Sequence, residues 1–255
     1  MSTASSRAAA SGLALVTGGA RGLGLAVARR LAVRGDRVVI ADLDGASTEA
    51  AAMALRAEGL DVTGVTLDVA DEEDVGRAFA KLTTHGTLTT VVNNAGVAFS
   101  APLVDTSAAQ FDRLMAVNVR GAFLVLREAV RAMLPSGAGS VVNICSTSSF
   151  TASTGPMVAY DTSKGALAML TRASAREQAR TGIRINGVAP GTMDTALVRD
   201  LGENDALLAR LADTWIPVGR LGDTDEVAAA VEWLSSPAAS YVVGHILVVD
   251  GGWLA

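Results

Sequence analysis

Tyr160 and Lys164 stand four residues apart in the stretch MVAYDTSKGA, which runs from residue 157 to residue 166. On an α-helix this spacing places two side chains one above the other on the same face. A phenol keeps its proton at neutral pH unless a neighbouring positive charge stabilises the phenolate. The pair therefore predicts an acid/base group tuned by a lysine, although a core tyrosine beside a solvent-reaching lysine has the same spacing.

A glycine-rich segment near the start of the chain predicts a site for nucleotide phosphates. The stretch LALVTGGARGLGLAVARRL places its glycines after an apolar run and at the start of a helical pattern. Glycines allow a tight turn and a close backbone approach, and the N-terminus of a helix favours a pyrophosphate. The residues assigned to this site are Gly18, Arg21, Gly22, Leu23 and Gly24.

Polar residues at the ends of the following apolar runs predict contacts to the rest of a dinucleotide. Asp42 directly follows the apolar run RVVIA. A carboxylate at this position can accept hydrogen bonds from ribose hydroxyls, or it can cap a helix. Asp68 fits either the adenine amino group or a helix cap, and Val69 is assigned to the same site. The small residues of NNAG allow a close backbone approach to a ligand, and the contacts assigned there are Asn94, Ala95 and Gly96.

Short apolar runs alternate with helical patterns along the chain. The predicted strands are 13–17, 37–41, 61–67, 89–94, 140–145, 184–189 and 246–250, and the predicted helices are 23–34, 45–58, 71–84, 107–134, 158–180 and 224–236. Continuous rather than alternating apolar strands indicate a parallel sheet with helices on both faces. The rhythm predicts an α/β fold, a single domain over 12–255 with a doubly wound seven-stranded sheet, after a disordered tail at 1–11.

Residues 192–216 interrupt this rhythm between a strand and the last helix. They have the pattern of one or two short amphipathic helices. An insertion at the carboxyl end of a strand lies where an α/β sheet binds its ligand. The segment therefore predicts a lid, and the alternative is a surface helix pair without a role.

Composition narrows the class of protein. Of the 255 residues, 50% are hydrophobic, which is enough for a large core. The net charge is −5, so the composition does not indicate a basic surface for nucleic acid. The single cysteine, Cys145, permits no intramolecular disulfide and favours a cytoplasmic location. The chain shows no secretory signal, no apolar run of membrane-spanning length and no Cys/His cluster for a metal.

Taken together, the motifs resemble the short-chain dehydrogenase/reductase family. TGGARGLG, Asp42, Asp68, NNAG, VNVRG, NICS, YDTSK, VAPG and VDGG occur in the order and approximate spacing of that family between residues 12 and 252. The resemblance implies a Rossmann fold, a nicotinamide cofactor and hydride exchange between a secondary alcohol and its ketone. It also implies a homotetramer.

The resemblance further implies a role for each catalytic residue. Tyr160 matches the acid/base, Lys164 the partner that also binds the nicotinamide ribose, and Asn118 the residue that completes a water chain behind the lysine. Ser146 matches the serine that binds the substrate oxygen, but it precedes Tyr160 by one residue more than is usual, so Ser148 is the alternative. Contacts around the nicotinamide are matched by Pro190, Gly191, Met193 and Thr195.

We expect NAD as the cofactor, because Asp42 would repel the 2′-phosphate of NADP, whereas Arg21 on the glycine turn is the opposing signal. The expected substrate is a modest hydrophobic or cyclic molecule. The residues expected around it, besides Ser148, are Phe99, Phe150, Met157, Leu197, Leu201 and Trp215. The alternatives are an NADPH-dependent 3-oxoacyl-carrier-protein ketoreductase and a nucleotide-binding regulatory protein without turnover.

Overall fold

The structure, a computed structural model, describes residues 12–199 and 204–255. Seven parallel strands form one sheet in the order β3-β2-β1-β4-β5-β6-β7. They are β1 (Leu13–Thr17), β2 (Arg37–Asp42), β3 (Val62–Thr66), β4 (Leu88–Asn93), β5 (Gly139–Ile144), β6 (Ile183–Pro190) and β7 (Ile246–Val249). The predicted fold is confirmed, and no strand end differs from the prediction by more than one residue. The predicted tail at 1–11, Leu201 and part of the predicted lid lie outside the described residues.

Helices cover both faces of the sheet. They are α1 (Gly22–Arg34), α2 (Gly45–Ala57), α3 (Glu72–Leu82), α4 (Ala108–Met115), α5 (Ala122–Met133), α6 (Val158–Gln178), α7 (Ala196–Arg199), α8 (Asp205–Trp215) and α9 (Thr224–Ser235). Val16 and Ile40 pack in one core with α1, α2 and α9, while Leu15 and Val39 pack in the other with α3, α5 and α6. Successive strand residues point to opposite faces, so a sheet buried on both faces needs the continuous apolar runs of this sequence.

The helix predicted over 107–134 is interrupted in the structure. A π-helical turn at Ala116–Gly121 separates α4 from α5. At its end the backbone of Gly121 packs against the loop after β3, where an added Cβ would lie 3.0 Å from the side chain of Val69. Such turns insert one residue into a helix and often occur at functional sites. Here the turn carries Asn118, which is buried.

The carboxyl ends of the strands form the edge at which the sequence motifs meet. Strand β1 pairs with β2 on one side and β4 on the other, so the chain order reverses there and leaves a crevice. The insertion predicted at 192–216 contains α7 and α8. Its base is closed, because Met193 and Gly222 form a β-bridge and the backbone N of Gly222 donates to the carbonyl of Thr192 at 3.0 Å.

No helix in the two described ranges combines the length and the apolar character that crossing a membrane requires.

Candidate active site

A cleft of about 580 Å³ lies at the carboxyl edge of the sheet. Most residues predicted for the site line it. They are Gly18, Arg21, Gly22, Leu23, Gly24, Asp42, Asp68, Val69, Asn94, Ala95, Gly96, Ser146, Tyr160, Lys164, Pro190, Gly191, Met193, Thr195 and Leu197. Seven segments far apart in the sequence, one of them on helix α6, thus contribute to one wall.

The glycine turn after β1 has the geometry of a phosphate cradle. Gly18 and Gly22 have φ angles of 63° and 53°, in the left-handed region that favours glycine. An added Cβ on Gly24 would lie 2.1 Å from the carbonyl oxygen of Gly18, so no larger residue fits there. The turn therefore brings the backbone of α1 directly to the cleft wall.

The first turn of α1 differs from those of its neighbours in having no side-chain cap. Asp44 and Asp71 accept hydrogen bonds from the first backbone amides of α2 and α3, but the Arg21 side chain makes none to α1. The amides at the start of a helix are unpaired donors at its positive end. Together with the glycine cradle they fit the pyrophosphate of a dinucleotide, and a capping carboxylate would have repelled it.

Thr17 and Asn94 tie the glycine turn to the end of β4. The amide nitrogen of the Asn94 side chain donates to the carbonyls of Thr17 and Gly18, both at 2.9 Å. The backbone amides of Asn94 and Ala95 donate to the Thr17 hydroxyl, both at 3.1 Å. The two loops on either side of the crevice are therefore held at a fixed separation before any ligand binds.

The Asp42 carboxylate is held in place at the end of β2. One oxygen accepts from the backbone amide of Leu43 at 2.9 Å and the other from that of Ala20 at 3.3 Å. Arg21 lies near a different acid. The hydroxyl of Ser47, which donates to Asp44, holds the pKa of Asp44 below its usual value, and the positive charge of Arg21 acts in the same direction.

Tyr160 and Lys164 lie on α6 with the predicted relation. The Nζ atom of Lys164 is 5.6 Å from the centre of the Tyr160 ring and donates to the carbonyl of Ile144 at 2.9 Å. Lys164 is buried, yet it lines the cleft. An ammonium group has three donors, so two are left for a ligand. Gly96 leaves room beside them, since an added Cβ would lie 3.9 Å from Nζ.

Asn118 lies behind the cleft rather than in its wall. Its side-chain oxygen accepts from the backbone N of Val97 at 2.8 Å, and its amide donates to the carbonyl of Val97 at 2.9 Å and to the hydroxyl of Ser163 at 3.1 Å. The Ser163 hydroxyl in turn donates to the carbonyl of Tyr160 at 2.7 Å. This buried set joins the π-helical turn to the helix that carries the predicted acid/base.

Ser146 and Ser148 are placed differently. Ser146 lines the cleft, and its hydroxyl oxygen accepts from the backbone amide of Ser148 at 3.1 Å. The Ser148 hydroxyl lies 3.1 Å from that of Ser153, outside the cleft wall. The geometry favours Ser146 of the two serines that the loop spacing left open.

The residues predicted to surround the substrate fit the cleft poorly. Of the described ones only Leu197 lines it, while Ser148, Phe99, Phe150, Met157 and Trp215 do not. The ring of Phe150 lies against the guanidinium of Arg172, 5.7 Å away, on the outer part of α6. Trp215 stacks on Trp253 with ring centres 6.2 Å apart and keeps 54% of its surface exposed. Met157 precedes α6, where its carbonyl accepts from the backbone N of Asp161.

Several residues of the site were missed by sequence reasoning. Ser163 stands inside the YDTSK motif, directly before Lys164, so the motif itself offered a signal. Cys145 lines the cleft beside Ser146, and burial raises the pKa of its thiol, which keeps it protonated. The other unpredicted wall residues are Ala41, Leu43, Leu67, Ala70, Val97, Arg113, Ala116, Val117, Ile144, Ala196 and Val198. Across residues 12–199 and 204–255, no cluster of three or more His, Cys, Asp or Glu side chains has the arrangement of a metal site.

The amino-acid sequence is similar to those of known enzymes. The family model described as enoyl-(acyl carrier protein) reductase matches residues 18–254. The chain is 42% identical to 2-(R)-hydroxypropyl-CoM dehydrogenase of Xanthobacter autotrophicus over 252 residues, which cover 95% of this chain and 98% of that protein. It is 40% identical to cis-4-hydroxycyclohexanecarboxylate dehydrogenase of Sinomonas cyclohexanicum over 247 residues, with 95% and 96% covered.

The fold is also similar to that of solved structures. A gluconate 5-dehydrogenase from Burkholderia cenocepacia, in complex with NADP and tartrate, superposes with a TM-score of 0.90 at 36% identity. The similarity covers 95% of each chain.

Proposed function

Because the chain belongs to the short-chain dehydrogenase/reductase family of oxidoreductases, we propose that it interconverts a modest hydrophobic or cyclic secondary alcohol and its ketone with NAD. The observation that carries the proposal is the convergence of Tyr160, Lys164 and Ser146 on one wall of the cleft that the glycine turn opens. The nicotinamide, when bound, takes up the hydride from the carbinol carbon or returns it to the ketone.

The side chains of this chain handle the proton. Ser146 donates a hydrogen bond to the substrate oxygen, and Tyr160 takes the hydroxyl proton in oxidation and returns it in reduction. Lys164 places its positive charge beside the Tyr160 ring, 5.6 Å from the ring centre. Its two remaining N–H donors would hold the ribose of a bound nicotinamide nucleotide, and the contact to Ile144 fixes the position of Nζ.

The buried set behind Lys164 keeps this wall in place. Among the described residues, the Asn118 side chain forms its hydrogen bonds with Val97 and Ser163. We propose that the π-helical turn thereby fixes the path along which the proton leaves Lys164 for solvent.

The proposed substrate class is supported by the wall and by one relative. The wall that includes Ser146 and Tyr160 also includes the apolar residues Met193 and Leu197 and the protonated Cys145. The relative from Sinomonas cyclohexanicum is named for a cyclic secondary alcohol. The apolar residues of this wall fit a ring better than they fit a sugar phosphate.

A panel of substrates tests the proposal. Cyclic and short aliphatic secondary alcohols with NAD, their ketones with NADH, and a 3-oxoacyl thioester with NADPH are followed by the absorbance of the reduced nicotinamide. We expect turnover with a cyclic alcohol and NAD. Turnover confined to the thioester and NADPH would favour the ketoreductase, and cofactor binding without turnover would favour a regulatory protein.

The cofactor preference gives a quantitative prediction. The two amides that bind Asp42 hold its carboxylate at the end of β2, where the adenosine ribose of a bound cofactor would lie, and like charges brought together there would cost several kcal/mol. We expect kcat/KM to favour NAD over NADP by at least about tenfold, or about 1.4 kcal/mol. Asp42→Ala should narrow the gap by improving the use of NADP, as measured by steady-state kinetics with both cofactors.

Two controls separate local repulsion from net charge. Adding Arg21→Ala to Asp42→Ala should cancel the gain with NADP, because the exposed arginine is then no longer present to bind the phosphate. Asp61→Asn removes an acid at the opposite end of the sheet and should leave the ratio unchanged. A wild-type preference for NADP would contradict the assignment of Asp42.

We also propose that the protein is a homotetramer, as expected for the family. Exposed apolar side chains in two parts of the chain support it. Trp233, Tyr241, Val243 and Val248 lie in the stretch from α9 to the edge strand β7, and Leu103, Val104, Phe123 and Leu134 lie between β4 and β5. Light scattering should give a mass close to four chains, and Val248→Asp should lower it. A monomeric mass at micromolar concentration would contradict the tetramer.

A further inference from the structure

Asp161 anchors a chain of hydrogen bonds that ends at the serine turn, which comprises residues 146–149. It directly follows Tyr160, in the first turn of α6. One carboxylate oxygen accepts from the backbone amide of Ser153 at 2.9 Å, and the other accepts from the Ser153 hydroxyl at 2.6 Å. The Ser153 hydroxyl lies 3.1 Å from that of Ser148. The acid beside Tyr160 is therefore connected to the serine turn through two hydroxyl groups.

The direction of this chain follows from its donors. An ionised carboxylate only accepts hydrogen bonds, and a serine hydroxyl has one proton. Ser153 gives its proton to Asp161, so at its second contact it must accept, and Ser148 is the donor. The backbone amide of Ser148 donates to the hydroxyl oxygen of Ser146. Both donors of Ser148 are thus used inside the loop, whereas Ser146 accepts there and keeps its own proton.

The serine turn is held to α6 at a second point. The Ser149 hydroxyl donates to the carbonyl of Lys164 at 2.9 Å and accepts from the backbone amide of Ser146 at 3.4 Å. Both attachments, at Asp161 and Lys164, follow Tyr160 within four residues on α6. The serine turn is therefore held to the part of α6 that carries the phenol.

We propose that Asp161 is a positioning residue, which through Ser153 and Ser148 fixes the Ser146 hydroxyl as a donor to the oxygen that Tyr160 protonates. The inference rests on the proposed function. Hydrogen bonds to an ionised acceptor are about twice as strong as neutral ones. A carboxylate at this position therefore sets the orientation of the whole chain, and a neutral side chain would leave the Ser148 proton free to rotate toward other acceptors.

Asp161→Ala removes the acceptor for two donors of Ser153. The Ser148 hydroxyl is then no longer oriented, and Ser146 loses its fixed position relative to Tyr160. A displacement of about 1 Å at a reacting group costs on the order of 10²-fold in rate. We expect kcat to fall by about tenfold to 10²-fold, with the affinity for NADH unchanged. Asp161→Asn keeps one acceptor atom and should fall between the wild type and Asp161→Ala.

A double-mutant cycle with Ser146→Ala tests whether Asp161 acts through Ser146. If it does, Asp161→Ala should lower kcat less than about twofold once Ser146 is already absent, because residues that act as a unit are not additive. Equal losses in both backgrounds would overturn the inference. Thr162→Ala is the matched control, since within the described part of the chain that exposed hydroxyl bonds only the carbonyl of Val158, one helical turn earlier. It should leave kcat unchanged.

Hydrogen exchange gives a readout that does not need turnover. The amides of Ser148 and Ser153 donate within this network, so peptides covering 146–153 should exchange faster in Asp161→Ala and not in Thr162→Ala. Unchanged exchange in Asp161→Ala would overturn the anchoring role, and this measurement needs no substrate. Absence of turnover in the wild type would instead count against the proposed function, and exchange would then decide the role of Asp161 alone.

Discussion

Replacing Tyr160 by phenylalanine is expected to abolish turnover and to leave the affinity for the cofactor nearly unchanged. The substitution removes the hydroxyl that exchanges a proton with the substrate and keeps the ring that lies 5.6 Å from Lys164 Nζ. A positioned acid/base contributes about 10²–10⁴ in rate, and the described wall of the cleft contains one tyrosine, Tyr160, and no histidine or glutamate. Steady-state kinetics and titration of NADH fluorescence measure the two quantities separately.

The second tyrosine of the chain provides a matched control for this prediction. Tyr241 is 99% exposed and lies near the edge strand, away from the cleft. Tyr241→Phe makes the same chemical change and should retain turnover. Substantial activity in Tyr160→Phe, at the level of Tyr241→Phe, would remove Tyr160 from the mechanism.

Ser146→Ala is expected to lower kcat by about 10²–10³, because a donor aimed at a developing oxyanion is typically worth that much. Ser148→Ala should cost clearly less. Its hydroxyl already donates within the loop, and the variant keeps the backbone amide that binds Ser146. Both variants are compared by kcat with the same substrate and saturating cofactor.

The order of these two effects also tests the alignment of the loop after β5. The longer spacing between Ser146 and Tyr160 is explained if the extra residue lies after Phe150. A larger loss in Ser148→Ala would identify Ser148 as the donor to substrate, and its spacing to Tyr160 would then be shorter than usual rather than longer. Folding is checked in both variants by thermal unfolding, so that a loss of activity is not confused with a loss of protein.

The fold and the cofactor end of the site were predictable because both depend on short local patterns. Continuous apolar strands require a sheet covered on both faces, and Gly18 and Gly24 occupy positions where larger side chains meet the backbone. The four-residue spacing of Tyr160 and Lys164 needs only a helix to bring them together. These features follow from periodicity and from sterics within one element.

The substrate end was predicted poorly, because there the direction of a side chain depends on a contact with a distant residue. The Phe150 ring lies against the guanidinium of Arg172, and the Trp215 ring stacks on that of Trp253. The π-helical turn was missed for a related reason. The pattern over 107–134 is that of a continuous helix, and the interruption carries an asparagine whose side-chain partners, Val97 and Ser163, lie in other segments.

The closed base of the insertion has a consequence for how this scaffold can change. The bridge between Met193 and Gly222 brings the two ends of the insertion together independently of the chain between them. The entropy of closing a loop grows only slowly with its length, by about 0.6 kcal/mol for each doubling. Segments of different length and composition can therefore be exchanged above this bridge with little effect on the sheet below. Swapping the insertion between relatives should therefore change the part of the cleft wall that Thr195, Ala196, Leu197 and Val198 form, above an unchanged sheet.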